Sequence, residues 1–249
     1  MLTEERKAII LKEVNTRGSI SLDELTQIVG VSDSTIRRDI IELSREGRLL
    51  KVRGGAMRLD LSEKHDDTSI LGREASHKAQ KLKIAEYAAS LILPGEYVFI
   101  DAGSTTGFMI GYIKEHRAIY VTNSVSHAAD LVKNHFKVFL IGGEMRENTD
   151  VIVGADAILH MQKYNFNRGF FGTNGIDEKL GFTTNDVREA LIKRVAMEST
   201  TSGKKFVLAD KCKFGLRSAV TFSDFNGVTV LTDAFPGDRY QMVADIKVV

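Results

Sequence analysis

The stretch Ser32-Asp33-Ser34-Thr35-Ile36-Arg37-Arg38-Asp39 constrains the N-terminal part of this chain more than any other segment. Ile36, Ile40 and Leu43 stand at i, i+4 and i+7, so one face of a helix here is apolar, and Ser32 is a favoured N-cap type. The other face begins with Ser34, Thr35, Arg37 and Arg38, side chains that suit base edges and phosphates. Upstream, Ser21-Leu22-Asp23-Glu24 has the spacing of a capping box. It predicts a short helix whose Leu22, Leu25 and Val29 face inward. Gly30-Val31 supplies the turn. Two short helices at this spacing, the polar face on the second, predict a helix-turn-helix. A further helix is expected over residues 2–16, with Ile10 and Val14 one turn apart. Gly47 is expected to end the second helix as a left-handed C-cap.

Past that helix, Leu49-Leu50-Lys51-Val52 and Ala56-Met57-Arg58-Leu59 flank Gly54-Gly55, a pattern that predicts a hairpin with a two-residue turn at the glycines. Such a hairpin is a wing. Arg48, Lys51, Arg53 and Arg58 are basic and no acidic residue lies among them, so the wing suits a phosphate backbone. Double-stranded operator DNA is the expected partner, contacted by Ser32, Ser34, Thr35, Arg37, Arg38, Lys51 and Arg53. The whole chain carries a net charge of only +1, yet Arg37 to Arg58 holds seven basic residues against Asp39, Glu42 and Glu46, a local excess of +4. A winged helix used for protein contacts is the blander reading, and the basic wing argues against it.

With 249 residues and 43% hydrophobic content, the chain has room for a second, larger domain. The expected division is residues 1–58 for the winged helix-turn-helix, 59–77 for a polar linker and 78–249 for the rest. Cys212, the single cysteine, excludes an internal disulfide and a cysteine-rich zinc site. His65 and His77 lack partners at ligand spacing, so neither a metal nor any other cofactor is expected. No apolar run is long enough to span a bilayer and Met1-Leu2-Thr3-Glu4-Glu5 is no signal peptide, so the expected place is the cytoplasm, with no membrane partner.

From Lys78 onward helical stripes alternate with short apolar runs. Ile84, Ala85, Ala88, Leu91 and Ile92 form one stripe, ended by Pro94-Gly95. Strands are expected at Tyr97–Ile100, Ile119–Val121, Val138–Ile141, Arg168–Phe171, Phe206–Ala209, Ala219–Phe222 and Val228–Leu231. Helices are expected near Thr105–Lys114 and Ser126–Lys133 and after Asp186. Continuous apolar strands between helices predict an α/β domain with an open, mainly parallel sheet covered on both faces. Such sheets bind ligands at the carboxyl ends of their strands.

Those ends carry the polar and glycine residues. Asp101-Ala102-Gly103-Ser104-Thr105-Thr106 leads from a strand into a helix and outlines a phosphate cradle, without the Gly-Lys-Ser/Thr ending of a P-loop. Thr122-Asn123-Ser124, Gly142-Gly143-Glu144 and Gly172-Thr173-Asn174-Gly175 end three other strands. Ordinary turn chemistry selects the same residue types, but four such loops on one edge favour a pocket. Gly181-Phe182-Thr183-Thr184-Asn185-Asp186 precedes a helix with Glu189 and Lys193 at i and i+4. Two readings of that pair stand side by side, a surface ion pair and a donor–acceptor set aimed at a sugar.

These motifs together resemble those of the DeoR family of transcriptional regulators. The resemblance runs over nearly the whole chain, through Ser32–Asp39, Arg53-Gly54-Gly55-Ala56, Asp101–Thr106, Thr122–Ser124, Gly142-Gly143, Gly172–Ile176, Gly181–Thr184, Glu189 with Lys193-Arg194, and Ala209-Asp210-Lys211. It implies a C-terminal domain similar in fold to ribose 5-phosphate isomerase that senses a phosphorylated sugar. Gly103, Ser104, Thr105 and Thr106 would hold the phosphate, and Asp101, Asn123, Asn174, Glu189 and Lys193 would line the sugar side. Ser124, Gly142, Gly143, Gly172, Thr173 and Gly175 complete the expected effector site. The resemblance further implies repression of a sugar-catabolic operon, release by the effector, and a homo-oligomer, dimer or tetramer. The cradle and the Gly-Phe-Thr-Thr segment resemble regulators of fructose use, which makes fructose 1-phosphate the first effector expected. The rival reading is a sugar-phosphate isomerase with a DNA-binding appendage. Isomerisation needs a carboxylate base, and Asn174 and Gly175 stand where carboxylates would be expected, leaving Asp186 and Glu189.

Overall fold

The computed structural model describes residues 3–17, 19–46, 48–52, 54–57, 77–146 and 149–249. The chain divides into two compact units, residues 1–65 and 66–249.

In the first unit, α1 (Thr3–Arg17), β1 (Ser19–Ser21), α2 (Leu22–Val29), α3 (Asp33–Arg45), β2 (Leu50–Val52) and β3 (Gly55–Met57) follow in order. Apolar spacing decides the packing. Ile10, Val14, Leu22, Leu25, Val29, Ile36, Ile40 and Leu43 close into one core with Ile20, Leu49 and Ala56. Each fully buried aliphatic side chain contributes about 1.5–3 kcal/mol. The capping box forms on both sides: Glu24 N–H donates to Ser21 Oγ at 3.2 Å and Ser21 N–H to Glu24 Oε2 at 3.0 Å. Gly30 ends α2 at φ +71°, the left-handed conformation that glycine adopts without strain. Ser32 stands at the N-cap of α3 but makes no capping bond. Its Oγ instead meets Thr35 Oγ1 at 2.9 Å and Ser34 Oγ at 3.1 Å.

The wing differs from expectation by one residue. Val52 pairs with Gly55 and Leu50 with Met57, so Gly55 belongs to β3 and not to the turn. The cause lies in β1, a strand of three residues. β3 is central in the order β1-β3-β2, and Gly55 pairs with Ser21 on its other side. A Cβ at Gly55 would sit 2.2 Å from the Ile20 carbonyl oxygen, so only glycine fits there. Gly47, Arg53, Arg58 and residues 59–76 of the linker expected at 59–77 lie outside the described residues.

The second unit contains α4 (Lys78–Ser90), β4 (Tyr97–Ile100), α5 (Ser104–Ile110), β5 (Ile119–Thr122), α6 (Val125–Lys133), β6 (Lys137–Leu140), β7 (Glu144–Met145), β8 (Ile152–Val153), α7 (Ala155–Met161), β9 (Arg168–Gly172), β10 (Gly175–Asp177), β11 (Gly181–Thr184), α8 (Val187–Glu198), β12 (Lys205–Leu208), β13 (Val220–Ser223), β14 (Val228–Thr232), α9 (Asp238–Gln241) and β15 (Asp245–Val248). Seven strands form one parallel sheet in the order β15-β14-β12-β9-β4-β5-β6. Alternate residues of its central strands enter two cores. Phe99, Val121, Phe171 and Val207 pack under α7 and α8, while Val98, Ile100, Tyr120, Phe170 and Phe206 pack under α4, α5 and α6. Both faces are thus covered, which is why these strands read as unbroken apolar runs.

β13, expected from its apolar run as one more strand of that sheet, lies elsewhere. It pairs antiparallel with β11, and β10, β11 and β13 make a separate small sheet. Phe182 and Phe222 bury that sheet against the α8 side of the molecule, so an apolar run serves there as well. At the amino ends of the central strands, Arg168 holds Glu96 through two bonds of 2.8 Å. Burial alone would raise the Glu96 pKa. The Arg168 guanidinium and the Leu93 N–H outweigh it and hold the carboxyl below its usual range.

Candidate functional site

The first candidate surface is α3 with the wing. Arg37 and Arg38 are exposed, and so is Lys51 of β2. Arg37 Nη2 lies 3.2 Å from Asp33 Oδ2 one turn before it, an exposed pair that contributes little to stability and leaves the cation available. Arg38 has no ion-pair partner among the described residues. A cleft of about 70 Å³ between α3 and the wing is lined by Arg37, Lys51, Gly54 and Gly55 among others. The three acids of this region are engaged by cations. Asp39 is buried and bonded by Arg6 of α1, Lys7 of α1 pairs with Glu42 at 2.9 Å and Glu46 at 3.1 Å, and Glu46 also meets Arg48 at 3.4 Å. Arg6 and Lys7 of α1 thus add two cations beside the acids counted in the +4 excess.

The second candidate is the carboxyl edge of the parallel sheet. β9, β4, β5 and β6 are consecutive, so the loops after them meet at one edge. Asp101 is 2% exposed and accepts the Gly172 N–H at 2.9 Å, which ties the loop after β4 to the loop after β9. Lys193 of α8 closes the joint, bonding the Asp101 carboxylate and the Gly172 carbonyl, the latter at 3.0 Å. Thr106 is wholly buried. Its Oγ1 donates to the Asp101 carbonyl at 2.6 Å and accepts the Gly103 N–H at 2.9 Å, so it shapes the loop from inside. Ser104 and Thr105 are the hydroxyls of this loop whose bonds are not so absorbed. Lys81, 5% exposed, reaches Ser104 Oγ from α4 at 3.3 Å.

On the neighbouring strand, Asn123 is 1% exposed and its Oδ1 accepts no hydrogen bond among the described residues. Ser124 caps α6, its Oγ accepting the His127 N–H at 3.2 Å. His127 lies beneath the loop, with Nδ1 likewise unpartnered. Burial drives its pKa from 6.5 to about 4, against the opposing pull of Asp101 and Asp130. Gly142 N–H donates to His160 Nδ1 at 2.9 Å, and Gly143 runs so close to Val153 that a Cβ would meet its carbonyl at 2.8 Å.

Several expected roles change in detail. Glu189 and Lys193 do not pair with each other. Glu189 bonds Arg146, the latter also 3.5 Å from Asp186, while Lys193 turns inward to Asp101. Helical spacing brings side chains to one face but leaves each to its strongest partner. Asp186 caps α8, accepting from the N–H of Arg188 and Glu189. Burial would raise its pKa, but Arg188, those two N–H groups and Arg146 keep it low. Both carboxylates are engaged by Arg146. Asn174 Oδ1 accepts from Thr184 Oγ1 at 2.9 Å, and Thr173 Oγ1 bonds the Gly175 carbonyl at 2.8 Å. Gly175 is a glycine because a Cβ would lie 2.5 Å from the Leu216 carbonyl. Phe182, Thr183 and Thr184 are fully buried, so the Gly-Phe-Thr-Thr segment is a core strand rather than a ligand loop.

Lys81 is the residue that sequence reasoning missed. Its signal was present: Ile84, Ala85 and Ala88 follow it at i+3, i+4 and i+7, so it lies on the apolar stripe of α4.

The arrangement of an exposed basic reading helix ahead of a loop-lined sheet edge matches two family models. A DeoR-like helix-turn-helix domain matches residues 6–61, and a DeoR C terminal sensor domain matches residues 76–234. The chain belongs to the DeoR family. A DeoR-family assignment agrees with the relatives it resembles. FruR of Bacillus subtilis (strain 168), named as an uncharacterized HTH-type transcriptional regulator, is 36% identical over 100% of this chain and 99% of its own length. The lactose phosphotransferase system repressor of Staphylococcus aureus (strain NCTC 8325 / PS 47) is 33% identical over 93% of this chain and 92% of its own. The HTH-type transcriptional regulator IolR of Bacillus subtilis (strain 168) is 33% identical, covering 90% and 88%. These DeoR-type relatives are regulators of transcription and not enzymes, and so is this chain. Among solved structures, ribose 5-phosphate isomerase A of Methanocaldococcus jannaschii is similar at 14% identity and a TM-score of 0.40, over 56% of this chain and 55% of that one. Among the described residues no helix is long and apolar enough to cross a membrane, and no group of three or more His, Cys, Asp and Glu could hold a metal.

Proposed function

We propose that this DeoR-family regulator represses a sugar-catabolic operon and leaves its operator when a phosphorylated sugar binds the carboxyl edge of its parallel sheet. The observation that carries the reading is the meeting of the loops after β9, β4, β5 and β6, locked by Asp101, Gly172 and Lys193. In this reading Ser104 and Thr105 with Gly103 hold the phosphate, and Thr106 holds the loop. Asn123 and Asn174 read hydroxyls, and the buried, unpartnered Asn123 Oδ1 supports the first of these. Ser32, Ser34, Thr35, Arg37, Arg38, Lys51 and Arg53 meet the operator. The division into a DNA-binding head at 1–58, a linker at 59–77 and a sensor at 78–249 belongs to the same proposal, as does action in the cytoplasm.

A single small head makes few phosphate contacts. A dimer or tetramer reading two half-sites about 34 Å apart gains affinity by linking two heads. Release follows if the effector favours an assembly with the heads at another spacing, and a coupling of about 1–3 kcal/mol is typical of such regulators. Fructose 1-phosphate heads the candidates, ahead of tagatose 6-phosphate and glycerol 3-phosphate.

A thermal-shift screen of sugar phosphates against their unphosphorylated parents tests the sensor. A ligand at about 100 times its dissociation constant stabilises the native state by roughly 2.7 kcal/mol. The expected result is a shift with one phosphorylated sugar and none with its parent. Thr105→Asp puts a negative charge at the cradle and should abolish that shift. A full shift in the variant sinks the placement of the phosphate.

A further inference from the structure

The parallel sheet ends in two edge strands, β15 and β6, and they are built differently. β15 alternates the charges of Asp245 and Lys247 with its apolar residues, a common way of keeping an edge strand from pairing. β6 is Lys137-Val138-Phe139-Leu140, with Phe139 40% and Leu140 39% exposed. Ile141 N–H donates inward to the Thr122 carbonyl of β5 at 2.9 Å. By the alternation of a parallel ladder Phe139 faces β5 too, while Val138 and Leu140 point their backbone N–H and C=O groups outward. On either side of them the outward N–H groups are already used, that of Phe136 by the Leu131 carbonyl at 3.0 Å and that of Gly142 by His160 Nδ1 at 2.9 Å. No group among the described residues takes those of Val138 and Leu140, so the open window is these two residues with Phe139 between them. Val132 of α6, which packs on β6, and Leu159 of α7, beside His160, are exposed as well.

We propose that β6 is the seam of a two-fold dimer, paired antiparallel with β6 of a second copy of this chain. A strand that meets itself across a two-fold axis runs antiparallel, and one register uses the whole window. Val138 exchanges both backbone bonds with Leu140 of the partner subunit, Leu140 does the same with Val138 of the partner subunit, and Phe139 lies on the axis opposite its own counterpart. Two aromatic rings then face each other across the axis, beside Tyr164, whose ring centroid is 6.4 Å from that of Phe139. The charges agree with this direction. Lys133 and Lys137 are exposed toward the amino end of the strand and Glu144 is exposed beyond its carboxyl end, so antiparallel pairing sets unlike charges together at each end of the seam. A strand from an unrelated protein has no reason to match a window that is complementary to itself. A stable dimer buries about 800 Å² on each side, more than one short strand offers, so the exposed Val132 and Leu159 belong to the same contact. β6 runs on into Gly142-Gly143-Glu144, so the loops that the proposed effector site takes from this strand flank the seam on both copies.

The test uses the full-length protein with Cys212→Ser, which removes the single cysteine. In sedimentation velocity at micromolar concentration this parent should run as a dimer or a multiple of one. Phe139→Cys in the same background should cross-link to its own counterpart on mild oxidation, because Cα atoms facing each other on such an axis lie about 4.5 Å apart, within the span of a disulfide. Lys137→Cys, two residues off the axis, would lie about 14 Å from its counterpart and should not link. Leu140→Pro removes one outward N–H from each copy and no bond to β5. It should weaken the dimer at least about tenfold with the circular dichroism of the fold retained. A parent that sediments as a monomer overturns the proposal, and leaves the edge to a strand of some other protein. A dimer in which Phe139→Cys stays unlinked, in which Lys137→Cys links as readily, or which Leu140→Pro leaves at full strength overturns it as well, and puts the contact on another face. If Leu140→Pro does not fold, Leu140→Lys sets like charges across the seam and should weaken the dimer to a similar degree, and an unchanged dimer there overturns the proposal. No sugar phosphate enters these measurements, so their outcome is separate from that of the effector reading.

Discussion

Acidification should expose the burial of His127. The ring is neutral in the native protein because burial drives its pKa from 6.5 to about 4, while Asp101 and Asp130 only partly oppose that. In the unfolded chain the ring titrates near its ordinary value. Between those two values the unfolded state therefore holds a proton that the native state does not. Stability rises with pH wherever the unfolded state binds more protons, so the His127 contribution is complete above the unfolded pKa and is lost as pH falls toward 4. Each pH unit in that window is worth about 1.4 kcal/mol, which gives a loss of about 2 kcal/mol on going from about pH 7 to about pH 5. The ring has little room to escape into water, since a Cβ on Gly107 would lie only 2.7 Å from its Nε2. Urea unfolding of the wild type and His127→Met at the two pH values isolates the effect. Met does not titrate, so the loss should shrink by about 2 kcal/mol in the variant whatever its starting stability. Equal losses in the two proteins would refute the argument and mean that the ring is solvated or already charged.

Asp101→Ala should leave Lys193 buried beside an absent carboxylate and cost about 3–5 kcal/mol. In Asp101→Ala/Lys193→Met much of that should return, as chemical denaturation of the two variants can check. Gly55→Ala drives a methyl group into the Ile20 carbonyl at 2.2 Å and should unfold or distort the wing. The expected readout is lost DNA binding with sugar-phosphate binding unchanged, and normal DNA affinity would contradict the described register. Lys51→Ala should reduce the slope of log affinity against log salt for duplex DNA by about one. An unchanged slope would show that Lys51 touches no phosphate.

The elements that sequence foretold best are those where several local signals agree. α2 has a capping box, an inward stripe and a closing glycine, and all three appear where expected. The five central strands of the parallel sheet announced themselves by burial on both faces, whereas the exposed edge strand β15 left no apolar run and was not expected. The failures have a common physical origin in partners distant along the chain. β1 is three residues long, too short for a period to show, and without it the doubled glycine after the wing's first strand reads as a turn. β13 has the apolar run of a parallel strand, and nothing local says that β11 claims it. At the sheet edge the loops were legible as glycine and hydroxyl clusters, but the bonds within them were not. Thr106 and Thr184 look like ligands in a list of hydroxyls and prove to hold the backbone and Asn174. Glu189 and Lys193, four residues apart, each find a partner more than forty residues away.

Ser21 belongs to two structures at once: it ends β1, paired with Gly55, and it caps α2 through the bonds it shares with Glu24. The wing's inner strand is thus stitched to the very residue from which the helix pair departs, with the recognition helix one left-handed turn further on. Among the described residues, Ser21 couples the helix pair to the wing's inner strand directly. Bending the wing would break the cap, and shifting the helices would pull the sheet. A regulator built on such a head is expected to switch as a caliper does, by changing how far apart two unaltered tips are held. Mutations that alter induction alone should then fall outside residues 19–57.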